Sequence, residues 1–267
     1  MSLLSRILEA KRRSLEGLAE GLSLRASPGL EPRTVLERVR RPGGGPLRLV
    51  CEIKRRSPSA GPLDTTLSVG ERAVAYAEGG AAMISVLVDT PFFDGDWLHL
   101  DRARRALDDA GHATPLLAKE FVIDGLQLEA ARAHGADAVL LIARITPAPE
   151  LGRLVERSLA LGLTPLVEVT TEGELEAALS TPARLVGVNA RDLDTLAMDA
   201  RRARRVLERI PGDRVRVHLS GLLDEGAVRA VAEGPADAAL LGEALMREAD
   251  PRPLLASLQR GAATPRR

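Results

Sequence analysis

Leu47-Arg48-Leu49-Val50-Cys51-Glu52-Ile53-Lys54-Arg55-Arg56-Ser57-Pro58-Ser59 begins as an apolar run and ends in charge. The breaker Arg41-Pro42-Gly43-Gly44-Gly45-Pro46 precedes it, and the apolar part is too short for a globular helix, so it reads as a buried β-strand. Successive side chains of a strand point to opposite faces, which puts Glu52 and Lys54 on one face and Cys51 and Ile53 on the other. Apolar neighbours on the outer face imply that the ionic pair looks inward.

Similar runs recur at Ala82 to Val88, Leu116 to Phe121, Ala136 to Ala143, Leu163 to Val169, Leu185 to Asn189, Val215 to Leu219 and Ala236 to Leu241. Between them, Gly125 to His134, Pro149 to Leu161, Glu172 to Leu179 and Ala200 to Arg209 carry Ala, Leu, Glu and Arg at three-to-four spacing, the pattern of helices. Eight strand–helix alternations predict a parallel sheet closed into a (β/α)8 TIM barrel. An open doubly wound sheet is the runner-up, but the first strand lacks a Gly-x-Gly-x-x-Gly turn, and Gly43-Gly44-Gly45 precedes it. Leu4, Ile7 or Leu8, Lys11, Leu15, Leu18 and Leu22 fall at helical spacing, so an amphipathic helix is expected to lie on the body. A loop rich in proline and glycine follows, then a short helix from Thr34 to Arg40. The expected organisation is one domain over residues 1–267, with a helical extension (1–45) ahead of the barrel (46–260).

Thirty-seven basic residues balance thirty-seven acidic ones, so nothing in the overall charge favours nucleic acid or an anionic membrane. Aromatic residues make up 2% of the chain, too few for base-stacking platforms. Cys51 is the only cysteine, which excludes an internal disulfide, and the four histidines show no metal-ligand spacing. Charges arrive too early for a secretory leader, and no apolar run approaches transmembrane length. A cytoplasmic monomer that binds no metal is the expectation.

The basic residues are 34 arginines and only three lysines, and Lys54 and Lys119 both close strands. An ammonium can give up its proton where a guanidinium cannot, so two lysines at strand ends suggest proton transfer. Chemistry in such barrels gathers at the carboxyl ends of the strands. There Glu52, Lys54, Lys119, Glu168 and Asn189 all turn inward by alternation. Phe93 and Phe121 follow two strand ends and could wall a ring, or simply pack. Ser220-Gly221 and Gly242-Glu243 follow the last two strands, where backbone N–H groups commonly hold phosphate, and Ser57 could add a hydroxyl.

These motifs resemble the indole-3-glycerol phosphate synthases from about Ile7 to Leu255. The most specific stretches are Glu52 to Ser59, Lys119-Glu120-Phe121 and Val167-Glu168-Val169, with Gly187 to Leu193 and Leu241 to Met246 adding to them. The resemblance implies ring closure of 1-(2-carboxyphenylamino)-1-deoxyribulose 5-phosphate, with loss of carbon dioxide and water and no cofactor. It casts Lys119 as general acid, Glu168 as base, and Lys54 as partner of the substrate carboxylate and aid to hydroxyl loss. Glu52 would hold Lys54, Asn189 the substrate hydroxyls and Arg191 a carboxylate. Ser57, Gly221, Gly242 and the backbone of Glu243 would form the phosphate pocket.

The family usually reads Ser-Glu-Ser-Gly after the seventh strand. Here the residues are His218-Leu219-Ser220-Gly221, so one inward carboxylate is a leucine. Alternation turns His218 outward. Ala190 and Leu126 are smaller departures. Two alternatives follow: a secondary-pathway paralogue taking a substituted analogue, and a non-catalytic barrel that binds a phosphorylated ligand. A phosphoribosylanthranilate isomerase would need a Cys/Asp pair, and Cys51 faces the wrong way.

Overall fold

The computed structural model describes residues 2–23, 33–58 and 61–266. The loop expected after the first helix, Ser59 and the side chain of Leu22 lie outside the described residues. Eight parallel strands close into a barrel: β1 (Arg48–Ile53), β2 (Met83–Leu87), β3 (Leu116–Lys119), β4 (Ala138–Ile142), β5 (Thr164–Val169), β6 (Leu185–Asn189), β7 (Val215–Leu219) and β8 (Ala238–Leu241). Each pairs with the next, and β8 closes on β1 through Arg48↔Ala238 to Cys51↔Leu241.

Alternation divides the core in two. Cys51, Ile53, Val86, Ala118, Val139, Val167 and Val188 point outward and pack beneath the helices. Val50, Met83, Leu117, Leu140, Leu166, Val217 and Leu240 point inward and fill the barrel. Burial in this outward layer desolvates the Cys51 thiol, which pushes it far above the usual range and leaves it inert.

The helices start where the sequence offers caps. Ser68 with Glu71, Asp124 with Gln127 and Thr171 with Glu174 form reciprocal capping boxes ahead of α3 (Val69–Glu78), α6 (Gly125–Ala133) and α8 (Glu172–Leu179). Two N-terminal helices seal the ends of the barrel. At the floor, Val35 and Val39 of α2 (Val35–Val39) join the inner core. Nearby, the buried guanidinium of Arg41 donates to the carbonyls of Gly45, Ala232 and Thr264. At the mouth, α1 (Leu3–Ser23) buries Leu4 and Ile7 against the same inner core and packs on α6.

Candidate active site

A cavity of about 560 Å³ opens at the carboxyl ends of the strands. Glu52, Lys54, Lys119, Glu168, Asn189, Arg191, Ser57, Phe93, Phe121, Ser220, Gly221, Gly242 and Glu243 all line it, so the residues singled out from the sequence share one cavity. Much of the remainder is apolar: Leu4 and Ile7 from α1, with Leu87, Leu140, Ile142, Leu219 and Leu240 from the strands.

Lys54 Nζ donates to Glu52 Oε1 at 2.8 Å. Burial alone would raise the Glu52 carboxyl, but the ammonium groups of Lys54 and Lys119 and the hydrogen bond from Lys54 outweigh it and hold the group below the usual carboxylate range. Glu52 is therefore an anion, fixed by two cations. The backbone is shaped around this pair: a Cβ on Gly242 would stand 2.5 Å from Glu52 Oε1 and 3.0 Å from Lys54 Nζ, so any larger residue there must push the pair aside. Lys119 has no hydrogen-bond or ion-pair partner among the described residues, and its side chain is half-buried at the cavity wall. Its three protons are available to a ligand.

Across the cavity runs a hydrogen-bonded chain. Ser220 Oγ donates to Asn189 Oδ1 at 2.7 Å, the Arg191 backbone N–H donates to the same oxygen at 2.9 Å, and Asn189 Nδ2 donates to Glu168 Oε1 at 2.9 Å. The amide of Asn189 is thereby oriented, and it orients the glutamate in turn. Glu168 Oε2 is buried without a partner among the described residues, an unusual position for a carboxylate oxygen and one suited to a base awaiting a proton.

Ser220 (φ 66°) and Gly221 (φ 83°) are both left-handed. For serine this conformation is sparsely populated, and the turn is held from behind by His218, whose ring Nε2 donates to the Ser220 carbonyl at 3.1 Å. His218 points away from the cavity and is buried, which pushes its ring down to about 4, so it is a neutral structural donor. Leu219 faces the cavity beneath Ser220, its side chain covering Gly187. On the final loop, Glu243 opens the short helix α11 (Glu243–Met246) with its carboxylate engaged by Arg247 at 2.8 Å. Arg72, almost fully buried, braces that loop through the carbonyls of Leu245 and Glu248.

Phe93, on α4 (Thr90–Phe93), stands 6.1 Å from Phe121 at the cavity wall, whereas Trp97 packs against His134 on the outer layer. Arg191 reaches only the Leu196 carbonyl at 3.5 Å, with no carboxylate partner among the described residues. Among those residues no cluster of His, Cys, Asp and Glu could hold a metal ion, and no helix is long and apolar enough to cross a membrane.

Sequence reasoning passed over the third lysine. Lys11, on α1, is buried beside Asp89 and Glu120 at 2.7 and 2.8 Å. Burial would lower the ammonium, but the two carboxylates hold it above the usual lysine value, while burial raises Glu120. The rarity of lysine was the available signal. Its helical spacing placed it on the face that lies on the body without naming the carboxylates it would meet there. Leu196 and Met198, also on the wall, sit in a loop whose path no periodicity predicts.

A family model described as indole-3-glycerol phosphate synthase matches residues 4–258. The chain belongs to that family. An indole-3-glycerol phosphate synthase of Mycobacterium avium is 40% identical over 249 residues, covering 93% of this chain and 88% of the relative. The "Indole-3-glycerol phosphate synthase 1" of Streptomyces coelicolor is 39% identical over 263 residues, covering 97% and 95%. Among solved structures, a 3-hexulose-6-phosphate synthase superposes with a TM-score of 0.62 at 18% identity, over 80% of this chain and 99% of that one. A thiamine phosphate pyrophosphorylase from Pyrococcus furiosus gives 0.61 at 18% identity, over 81% and 95%. At that identity the two structures speak for the barrel alone.

Proposed function

We propose that this chain is a carboxy-lyase of tryptophan biosynthesis that closes the indole ring of 1-(2-carboxyphenylamino)-1-deoxyribulose 5-phosphate, releasing carbon dioxide and water. The observation that carries the reading is the division of labour in one cavity: a lysine with no hydrogen-bond or ion-pair partner, a lysine clamped by a carboxylate, and a buried glutamate with one unbonded oxygen, all among the described residues. Ring closure needs those three things. As the ring carbon bearing the carboxylate attacks the ketone, Lys119 delivers a proton to the carbonyl oxygen. Lys54, held in place by Glu52, neutralises the carboxylate until carbon dioxide leaves, and then assists departure of the hydroxyl. Glu168 takes the proton whose loss restores aromaticity, and the Asn189 and Ser220 chain keeps it aimed.

The sugar phosphate lies across Ser57, Gly221, Gly242 and the backbone N–H of Glu243, where a carboxylate bound to Arg247 is spared direct repulsion of the ligand. Arg191, free of carboxylate partners among the described residues, offers a fork to the substrate carboxylate. Phe93 and Phe121 take the aromatic ring. The residues need no metal or cofactor for this chemistry, and a cytoplasmic setting fits a biosynthetic enzyme.

Purified protein incubated with the substrate should generate indole fluorescence. Lys119→Arg keeps the charge but not the acidity, so its kcat should fall at least a hundredfold. Near-normal turnover in that variant would reduce Lys119 to charge stabilisation, and a silent wild type would overturn the assignment.

A further inference from the structure

The ring-binding wall of the cavity is assembled from three separate pieces of chain. Leu4 and Ile7 come from α1, Phe93 from α4 after β2, and Phe121 from the loop after β3. Nothing in the barrel ladder fixes the first piece, because α1 lies outside the sheet. One buried ammonium touches all three. Lys11 Nζ meets Asp89 Oδ1 at 2.7 Å and both oxygens of Glu120 at 2.8 and 2.9 Å.

Each carboxylate has a second task that reaches the wall. Asp89 is the N-cap of α4, its other oxygen accepting from the Phe92 backbone N–H at 3.0 Å, so it sets the direction of the helix that carries Phe93. Glu120 Oε1 accepts from the Phe121 backbone N–H at 2.7 Å, which fixes the turn presenting that ring. Lys11 is one turn beyond Ile7 on the same helix, so pinning it holds Ile7 and Leu4 over the mouth. The three charged groups are all at least nine-tenths buried, where an ion pair keeps its geometry better than at a wet surface.

We infer that Lys11 is a positioning residue for the substrate's aromatic ring: it locks the N-terminal helix, Phe93 and Phe121 into one preformed apolar clamp. This rests on the ring-closure reading above. Lys11 touches neither the reacting atoms nor the phosphate pocket, so its loss acts on binding of the ring and spares the proton transfers.

The test compares wild type with Lys11→Met and with the triple variant Lys11→Met/Asp89→Asn/Glu120→Gln. The single variant strands two buried carboxylates and should lower the unfolding midpoint. The triple variant removes their charge, keeps a capping side chain at position 89, and should recover most of that loss. In both, KM for the carboxyphenylamino-deoxyribulose phosphate should rise at least tenfold, with kcat within about threefold of wild type and inhibition by inorganic phosphate unchanged. A triple variant that regains wild-type KM along with its stability would make Lys11 a structural staple and overturn the inference. So would an equal fall in kcat with KM unmoved. A wild type without turnover would sink the ring-closure reading instead, while an active wild type with unmoved KM in the variants sinks this inference alone.

Discussion

Gly242 shows how a single atom can limit a site. The glycine matched a phosphate-binding position by resemblance, but the geometry adds a second demand, because the ion pair of Glu52 and Lys54 occupies the space a methyl group would need. Gly242→Ala should therefore displace the pair, freeing Lys54 to swing and weakening its hold on the substrate carboxylate. We expect kcat/KM to fall at least tenfold, corresponding to about 1.4 kcal/mol of lost transition-state stabilisation, with the unfolding midpoint changed by only a few degrees. Unchanged steady-state kinetics would mean that the pair relaxes without cost. At the same scale Leu219 is explained by packing: it fills the wall over Gly187.

Strand β7 and the turn that follows it show what an element can encode. Its alternation sends Leu219 to the cavity and His218 to the outer layer, where the ring supports the left-handed Ser220 from behind. Because burial depresses this imidazole to about 4, below its unfolded value near 6.5, the unfolded chain binds the extra proton more readily. The stability associated with neutral His218 is present above about pH 6.5 and drains away as pH falls toward 4, by roughly 3 kcal/mol in total. Denaturant unfolding of wild type and His218→Leu at pH 7 and pH 4.5 checks this: the drop between the two pH values should be smaller in the variant, and equal drops would mean His218 titrates normally. The strands, their inward and outward faces and the helices between Gly125 and Arg209 were legible because period-two burial and three-to-four apolar spacing are local signals. The hairpin of Arg56–Ser57 with Gly61–Pro62, which seats Ser57 at the rim, was not, since two-residue strands carry no periodicity.

For the molecule as a whole, the convergence of Glu52, Lys54, Lys119, Glu168 and Asn189 could be foreseen because barrel closure brings every strand end to one rim. What escaped was everything that depends on where α1 docks. Its apolar face predicted burial against the body, yet only the assembled fold reveals that Leu4 and Ile7 roof the cavity and that Lys11 joins two loops more than thirty residues apart. Amphipathic spacing tells which face of a helix is buried and is silent on its partner. In this reading the five strand-end groups surround one substrate, gripped at its phosphate by the last two loops and at its ring by the aromatic wall. The most direct test is a crystal structure of the complex with the unreactive analogue whose ketone is reduced to a hydroxyl. Phosphate should lie against Gly221 and Gly242, the aromatic ring beside Phe93 and Phe121, and Lys119 Nζ within hydrogen-bond distance of the reduced oxygen. An analogue bound in the opposite direction, or with both lysines out of reach, would contradict it.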